Sequence, residues 1–378
     1  MKHYNYIFTG AGLSALMTVY EMIKSGKFAD KTILLIDADL KQTNDRTWCF
    51  WDKDESFESI VFKKWNHAWF INNVWTKKLN LNPYQYKMIR GLDFYEMVFL
   101  TIKNHTNIVF ENQKVISFCE KNNICEVIAA SNNFTCDQIF NSIFDVNNVK
   151  NQTKYPLLQQ HFIGWFIKSA TPVFDDKVVT FMDFSVKQNN NTRFMYVLPS
   201  SAHEALVEYT LFSKDLLQDA EYENEIKKYL RNLGVTDYQI IEKEKGNIPM
   251  TGYKFWEKNS KNIVHIGSNG GWTKASTGFT FKNVTKLSKK LITFLETNSD
   301  FRKFHQKDKF WFYDLLFIDV LYKNNELGSQ IFSSLFKKGN PTLILRFLDG
   351  ETSFPEDIQV MLKCPKLPFI KALFKRLF

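Results

Sequence analysis

The segment Gly10-Ala11-Gly12-Leu13-Ser14-Ala15 is the clearest place where this sequence could do chemistry. A glycine at 10 permits a tight turn, and one at 12 lets the backbone approach a pyrophosphate. A small residue at 15 allows close packing of helix on strand, which Ala15 provides. The pyrophosphate would sit on free N–H groups at a helix N-terminus, where the dipole favours anions. Asp37 follows where a carboxylate can accept a hydrogen bond from a ribose hydroxyl. A second glycine-rich segment, Gly267-Ser268-Asn269-Gly270-Gly271, comes far downstream. Gly267, Gly270 and Gly271 are therefore candidate contacts to the same dinucleotide. A ligand gripped from both ends of the chain suits the long FAD molecule better than NAD.

Other catalytic patterns are missing from the sequence. The seven histidines include no H-E-x-x-H and no cluster at ligand spacing, so no metal site is expected. No serine stands in a G-x-S-x-G elbow. Cys49, Cys119, Cys125, Cys136 and Cys364 form no C-x-x-C pair and read as reduced thiols of a cytoplasmic protein.

The elements that must position these residues follow from hydrophobic periodicity. Residues 5–9 read as a strand, and Leu13, Leu16, Met17, Tyr20 and Ile23 share one helical face, with Gly26 as the stop. Residues 32–36 are a buried strand that ends at Asp37. A helix is expected over 91–104 and a β-meander from Val115 to Ile139. Phe181–Val186 and Arg193–Pro199 alternate as antiparallel strands, a reasonable wall for a cavity. Ile263–Ile266 reads as a strand, a helix runs on to Leu295, and residues 300–378 are mostly helical.

Composition narrows the partners. The 378 residues include 36 Phe, 15 Tyr and 9 Trp, which fit either a Phe-rich core or an aromatic pocket for a bulky apolar ligand. The net charge of +9 calls for an anionic partner, and no module known to bind nucleic acid is present. No apolar run is long enough to span a bilayer, because Asp314 and Asp319 interrupt the best candidate, Phe310–Tyr322. In the tail Pro368–Phe378, Ile370, Leu373, Phe374 and Leu377 share one helical face while Lys371, Lys375 and Arg376 lie elsewhere. That pattern fits a helix lying on a membrane surface, or a tail docked on the protein itself. A peripheral membrane location is the expectation.

Eight segments, taken in order, carry a resemblance to a known family. They are Gly10–Ala15, Asp45–Trp51, Gln160–Trp165, Phe181–Phe184, Arg193–Pro199, Gly246–Met250, Lys274–Phe281 and Phe347–Thr352. Together they resemble the flavoprotein lycopene cyclases, which close β-rings on linear carotenes such as lycopene. The resemblance implies an α/β fold of the aromatic-hydroxylase and glutathione-reductase type. In it, a Rossmann-like FAD domain (1–70, 110–150 and 255–298) carries an inserted antiparallel-sheet substrate domain (71–109 and 151–254). A helical C-terminal region with a membrane-surface tail (299–378) completes it.

The resemblance also implies a cyclisation without net redox change, with FAD working in reduced form and NAD(P)H as the source of electrons. Phe347–Thr352 matches the family's acidic motif, which makes Glu351 the first catalytic candidate and Asp349 the second. Asp183 in the Met-Asp-Phe segment is a third, and Arg46 in the Asp45–Trp51 segment is a further candidate to contact FAD. Trp48, Trp51 and Trp165 are either pocket walls or core, and His161 reads as a hydrogen-bonded core histidine. One departure is Ser268, where this fold often carries an aspartate after the late glycine. Two other functions would use similar features: a flavin monooxygenase or reductase acting on an isoprenoid, and a carotenoid- or lipid-binding flavoprotein without catalysis.

Overall fold

In the computed structural model, which describes residues 1–305 and 307–377, the chain opens with a strand–turn–helix–strand unit. Strand β1 (Lys2–Thr9) leads through the glycine turn into α1 (Leu13–Ser25), and β2 (Ile33–Asp37) returns parallel to β1. Gly26 closes α1 in the left-handed conformation at φ 66°, which a glycine adopts without steric cost. Five strands follow: β3 (Thr47–Asp52), β4 (Val61–Trp65), β5 (His67–Ile71), β6 (Thr76–Asn80) and β7 (Gln85–Arg90). Helix α2 (Gly91–Ile102) and β8 (Ile108–Asn112) lead to the meander β9 (Val115–Lys121), β10 (Ile124–Ala129) and β11 (Asn133–Asn141).

After the short α3 (Asn147–Lys150) come β12 (Leu157–Ser169), β13 (Val178–Asp183), β14 (Thr192–Pro199) and β15 (Glu204–Ser213). Helix α4 (Asp219–Asn232), β16 (Tyr238–Thr251), β17 (Ile263–His265) and α5 (Phe281–Thr297) follow. The chain ends in five helices: α6 (Lys309–Lys323), α7 (Gly328–Lys338), α8 (Pro341–Leu348), α9 (Phe354–Met361) and α10 (Lys366–Leu377).

The strands form three sheets. The first runs β8-β2-β1-β11-β10-β9, with the short β17 beside β11. Its parallel part is buried on both faces, so β2 reads as the unbroken apolar run Ile33-Leu34-Leu35-Ile36. One face packs α1, α2 and α5 around Phe8, Leu16, Phe94 and Leu291. The second sheet runs β16-β12-β15-β14-β13-β5-β6, all antiparallel except the pair β13/β5. The third is the small sheet β3-β7-β4. The chain is thus mixed α/β with one largely parallel and one largely antiparallel sheet. Helix α2 shares the core of the first sheet, whereas β5 and β6 extend the second.

The second sheet has two chemically different faces. Trp165, Tyr209 and Leu211 point to one side and bury against Tyr222 and Ile226 of α4. Phe194 and Phe212 point to the other, toward Phe332 and Phe336 of α7. The strand expected over 181–186 instead spans Val178–Asp183, because the Asp183 carboxylate accepts the Ser185 N–H (2.9 Å) and turns the chain.

Candidate functional site

The glycine turn forms an open cradle at the start of α1. Gly10 has φ 93°, and a Cβ there would lie 2.3 Å from the Ser142 hydroxyl, so the position requires glycine. Gly12 caps α1 with no side-chain acceptor on the first N–H groups, and a Cβ built on it meets nothing within 4 Å. Ala15 is fully buried. Asp37 accepts the Ala11 N–H (2.6 Å) and the Asp39 N–H (2.8 Å), and Lys41 stands 3.6 Å away. The late segment closes on the same spot: Gly267 has φ 62°, and a Cβ there would come within 2.5 Å of the Ser14 hydroxyl. Gly270 leaves room for the His265 carbonyl, and Gly271 ends that turn at φ 71°. Arg46 lines the cavity that opens from the cradle, together with Gly12 and Lys41.

That cavity has a volume of about 470 Å³. It runs from Gly12 and Arg46 past Gln160 and Thr277 into an aromatic chamber walled by Trp51, Phe181, Phe194, Phe279 and Phe332. Two carboxylates sit in this chamber, Glu208 and Glu244. The sheet register explains how they meet. Tyr196, Glu208, Gly164 and Glu244 stand directly opposite one another across β14, β15, β12 and β16. A Cβ on Gly164 would lie 2.9 Å from Leu206 Cδ1, 3.3 Å from Glu244 Cγ and 3.5 Å from Glu208 Cβ. The glycine therefore leaves the gap into which the two acids lean.

Electrostatics makes this pair unusual. Burial, and secondarily the Glu244 charge, pushes Glu208 up to about 8 despite a hydrogen bond from Thr210. Burial likewise raises Glu244 to about 7, opposed by the Thr47 hydroxyl, which donates at 2.6 Å, and by Arg90. Two carboxylates in one dry site cannot both ionise cheaply, so near neutrality the pair retains a proton. Beside them Tyr86 and Tyr196 share a hydrogen bond between hydroxyls, and burial holds the Cys49 thiol up at about 12.

The three acids singled out from sequence lie elsewhere. Asp183 follows a register shift in β13 that sends Phe181 and Met182 to the cavity. Its own carboxylate accepts the Tyr229 hydroxyl of α4 (2.8 Å) on the opposite face. Asp349 is buried behind the chamber wall, where it accepts the Trp51 indole N–H (2.8 Å) and pairs with Lys282 (2.6 Å). Burial raises its pKa, and Lys282 opposes that. Glu351 is partly exposed and pairs with Lys286 (2.6 Å); burial pushes its pKa up, but the lysine brings the carboxyl below its ordinary value. None of the three lines the cavity, although Leu345 and Leu348 of the same acidic segment's helix do.

Trp48 and Trp51 line the cavity, while Trp165 is buried against α4. His161 is also on the α4 side, held by Tyr222 (2.5 Å) and Ser213 (2.6 Å), with burial lowering it to about 4.

Sequence reasoning missed the glutamate pair. For Glu208 a signal existed: it is the one acid inside Ala-Leu-Val-Glu-Tyr-Thr-Leu-Phe, a run buried on both faces. Glu244 gave none, since Glu242-Lys243-Glu244-Lys245 reads as an alternating solvated strand.

Several solved structures share the architecture. A geranylgeranyl bacteriochlorophyll reductase-like protein from Thermoplasma acidophilum superposes with a TM-score of 0.62 at 10% identity, covering 98% of both chains. A flavin-dependent brominase gives 0.61 at 11% identity over 92% of this chain and 94% of its own. p-Nitrophenol 4-monooxygenase from Pseudomonas putida gives 0.59 at 9% identity over 93% and 94%. At such identities the likeness is one of fold. No curated protein sequence matches the chain. The family model described as lycopene cyclase protein matches residues 6–374, nearly the whole length. The chain therefore belongs to the lycopene cyclase family.

Proposed function

We propose that this protein is a lycopene β-cyclase, closing the ends of a linear carotene by acid catalysis with no net redox change. The observation that carries the reading is the pair Glu208/Glu244, which retains a proton at neutral pH inside an aromatic cavity that opens onto the dinucleotide cradle. The cradle fits FAD. The N-terminus of α1 offers uncapped N–H groups, and Asp37 stands at the end of β2 for a ribose. Two buried polar atoms at the cavity, Gln160 Oε1 and Thr277 Oγ1, have no protein partner. Bound FAD, reduced by NAD(P)H, would supply a negatively charged ring system that stabilises positive charge on the substrate.

The remaining chemistry falls to side chains of this chain. The protonated carboxyl of the pair delivers its proton to the terminal double bond of the polyene, leaving a tertiary cation. An internal double bond attacks that cation and closes the ring. The ionised partner carboxylate then takes the proton lost from the ring, so one proton enters and one leaves. Phe181, Phe194 and Phe279 exclude water and present ring faces to the cation, each worth about 0.5–2 kcal/mol. Glu208, flanked in register by Tyr196 and deeper in the sheet, is the donor; Glu244, closer to Arg90 and Thr47, is the base.

Because one proton must sit on two carboxyls, activity is expected to rise as Glu244 ionises through about 7 and to fall above about 8, where the pair loses its last proton. A rate profile with no alkaline limb in that range would argue against the assignment. Asp349 in this account holds Trp51 in the wall. Asp349→Asn is expected to lower the rate by less than about tenfold and leave the alkaline limb in place, since the amide oxygen still accepts the indole N–H. A shifted limb in that variant would make Asp349 the acid instead.

Expression in cells that accumulate lycopene tests the function. Pigments of unchanged mass carrying one or two rings support the cyclase. A product heavier by oxygen or hydrogen would point to a monooxygenase or reductase, and untouched lycopene beside soluble yellow protein would point to a binding protein.

A further inference from the structure

Each carboxyl of the buried pair has one oxygen held by a threonine hydroxyl, and the two threonines come from different sheets. Thr210 stands two residues from Glu208 on β15 and donates to Glu208 Oε1. Thr47 opens β3 of the small sheet, and its hydroxyl reaches across to Glu244 Oε2 on β16 at 2.6 Å. The other two oxygens, Glu208 Oε2 and Glu244 Oε1, take no hydrogen bond from the described residues. Those are the atoms left to give and take a proton.

Thr47 does not reach β16 alone. It stands directly opposite Arg90 in the β3/β7 register, and Arg90 Nη2 donates to both oxygens of Glu242, at 2.6 and 2.7 Å. Glu242 and Glu244 are two residues apart on β16, so their side chains leave the strand on the same face. A facing pair on the small sheet therefore clamps two acids on the edge strand of the second sheet. The Arg90 guanidinium also lies 3.9 Å from the centre of the Phe166 ring, which fixes it between the two sheets.

The groups that face Glu244 do not act alike. Burial works against its charge, and the Thr47 hydrogen bond is the strongest influence in favour of it. Arg90 and Arg46 also favour the charge, while Glu242 opposes it. Arg90 and Glu242 form one ion pair, so at Glu244 they pull in opposite directions. Glu208, across Gly164, has only Thr210 to set against burial and the Glu244 charge. The remaining groups nearby add no charge: burial holds Cys49 up at about 12 and keeps Tyr86 and Tyr196 protonated. Lys245, the next residue on β16, is paired with Asp219 of α4 (2.6 Å).

We propose that Thr47 is a positioning residue of this site, whose hydroxyl keeps the negative charge of the pair on Glu244 and thereby leaves the transferable proton on Glu208. A hydrogen bond to an ionised carboxylate is roughly twice as strong as one to a neutral acceptor, so the donor selects the charged form. It also holds Oε2 in place and leaves Oε1 to take the proton back. Without the hydroxyl the two carboxyls become nearly equivalent, and the shared proton spends more of its time on the wrong one. The consequence for ring closure rests on the cyclase reading; the hold of Thr47 on Glu244 does not need a substrate.

Infrared titration of the full-length purified protein reads the carboxyls without turnover, and the band lost in Glu244→Gln identifies Glu244. Thr47→Val removes the hydroxyl and keeps the shape of the side chain, while Thr47→Ser keeps the donor. Thr47→Val is expected to raise the pH at which Glu244 ionises by about one unit, and Thr47→Ser to leave it near the parent value. Thr47→Ala removes the same donor with less bulk and gives the same reading if valine disturbs the β3–β7 packing. In the pH profile of lycopene cyclisation the acid limb of Thr47→Val should move upward, and the rate at the optimum should fall by up to about tenfold. Variants without the hydroxyl in which Glu244 ionises at the parent pH would overturn the proposal, even if they melt lower or turn over more slowly. So would a serine variant shifted as far as the valine one. A parent that forms no rings, with the shift in Glu244 present, would contradict the cyclase reading and leave the role of Thr47 standing.

Discussion

Glu208→Gln is expected to lower ring closure by about 10²- to 10⁴-fold, the range associated with loss of a positioned general acid, while the protein folds normally. The amide is nearly isosteric, can still accept the Thr210 hydroxyl, and cannot deliver a proton. Glu244→Gln is expected to cost a similar factor if that residue takes the proton back, and the double variant little more than either single one, because the two act as a unit. The same substitution has a stability signature with a definite sign. Glu208 titrates near 8 in the folded chain against 4.5 for an ordinary glutamate, because burial disfavours its charge. The unfolded chain therefore ionises first, and the protein loses stability as pH rises from about 4.5 toward 8. Removing the carboxyl abolishes that loss, on the order of a few kcal/mol. The Glu208→Gln variant is thus expected to melt higher than the parent near pH 9 and no higher near pH 4. Circular dichroism melts at the two pH values read this directly; a variant destabilised near pH 9 but not near pH 4 would mean that the carboxylate is structurally needed in its charged form.

Gly12→Asp is expected to abolish flavin retention while leaving the fold as stable as before or slightly more so. The side chain has open space to enter, since a Cβ at 12 meets nothing within 4 Å. An aspartate there caps α1, which at present has no side-chain cap, and over glycine this is worth about a few tenths of a kcal/mol. The same carboxylate occupies the position of an anionic ligand at the helix N-terminus and repels a pyrophosphate. Gly10→Ala should behave in the opposite way. It imposes a Cβ on a backbone at φ 93° and drives it to 2.3 Å from the Ser142 hydroxyl, so folding itself suffers, by about 1–3 kcal/mol. Flavin absorbance of the purified variants, set beside their unfolding midpoints, separates the two effects. Flavin bound normally by Gly12→Asp would remove the cradle from the account.

What the sequence displayed, and what it hid, divides along the range of the interactions. The glycine turn, Asp37 and the strand–helix–strand frame are local: each residue's role depends on neighbours within about forty positions and on helix and strand periods. Even Gly267, far away in sequence, was marked by the second glycine-rich segment in which it stands. The acid pair is different in kind. Glu208 and Glu244 meet only because β15, β12 and β16 align in one register with Gly164 between them, and a single-residue slip would turn either to the other face. Asp183 shows the converse. An aspartate beside two cavity-lining residues looks like part of the site, but the register shift at 180–183 turns it toward Tyr229. Asp349 and Glu351 stand in a segment whose leucines do reach the chamber, while the carboxylates turn to Lys282 and Lys286 of α5.

The measurement that tests the central claim most directly is cyclisation of lycopene by the purified protein in deuterium oxide, with the product analysed by mass. Proton delivery from a side chain in exchange with solvent predicts one deuterium gained for every ring closed and no change in the number of hydrogens. The parent protein should show this, and Glu208→Gln should form ringed product at no more than about a hundredth of the parent's rate. A ringed product with no solvent deuterium, or one carrying two additional hydrogens per end, would contradict acid catalysis by the buried pair.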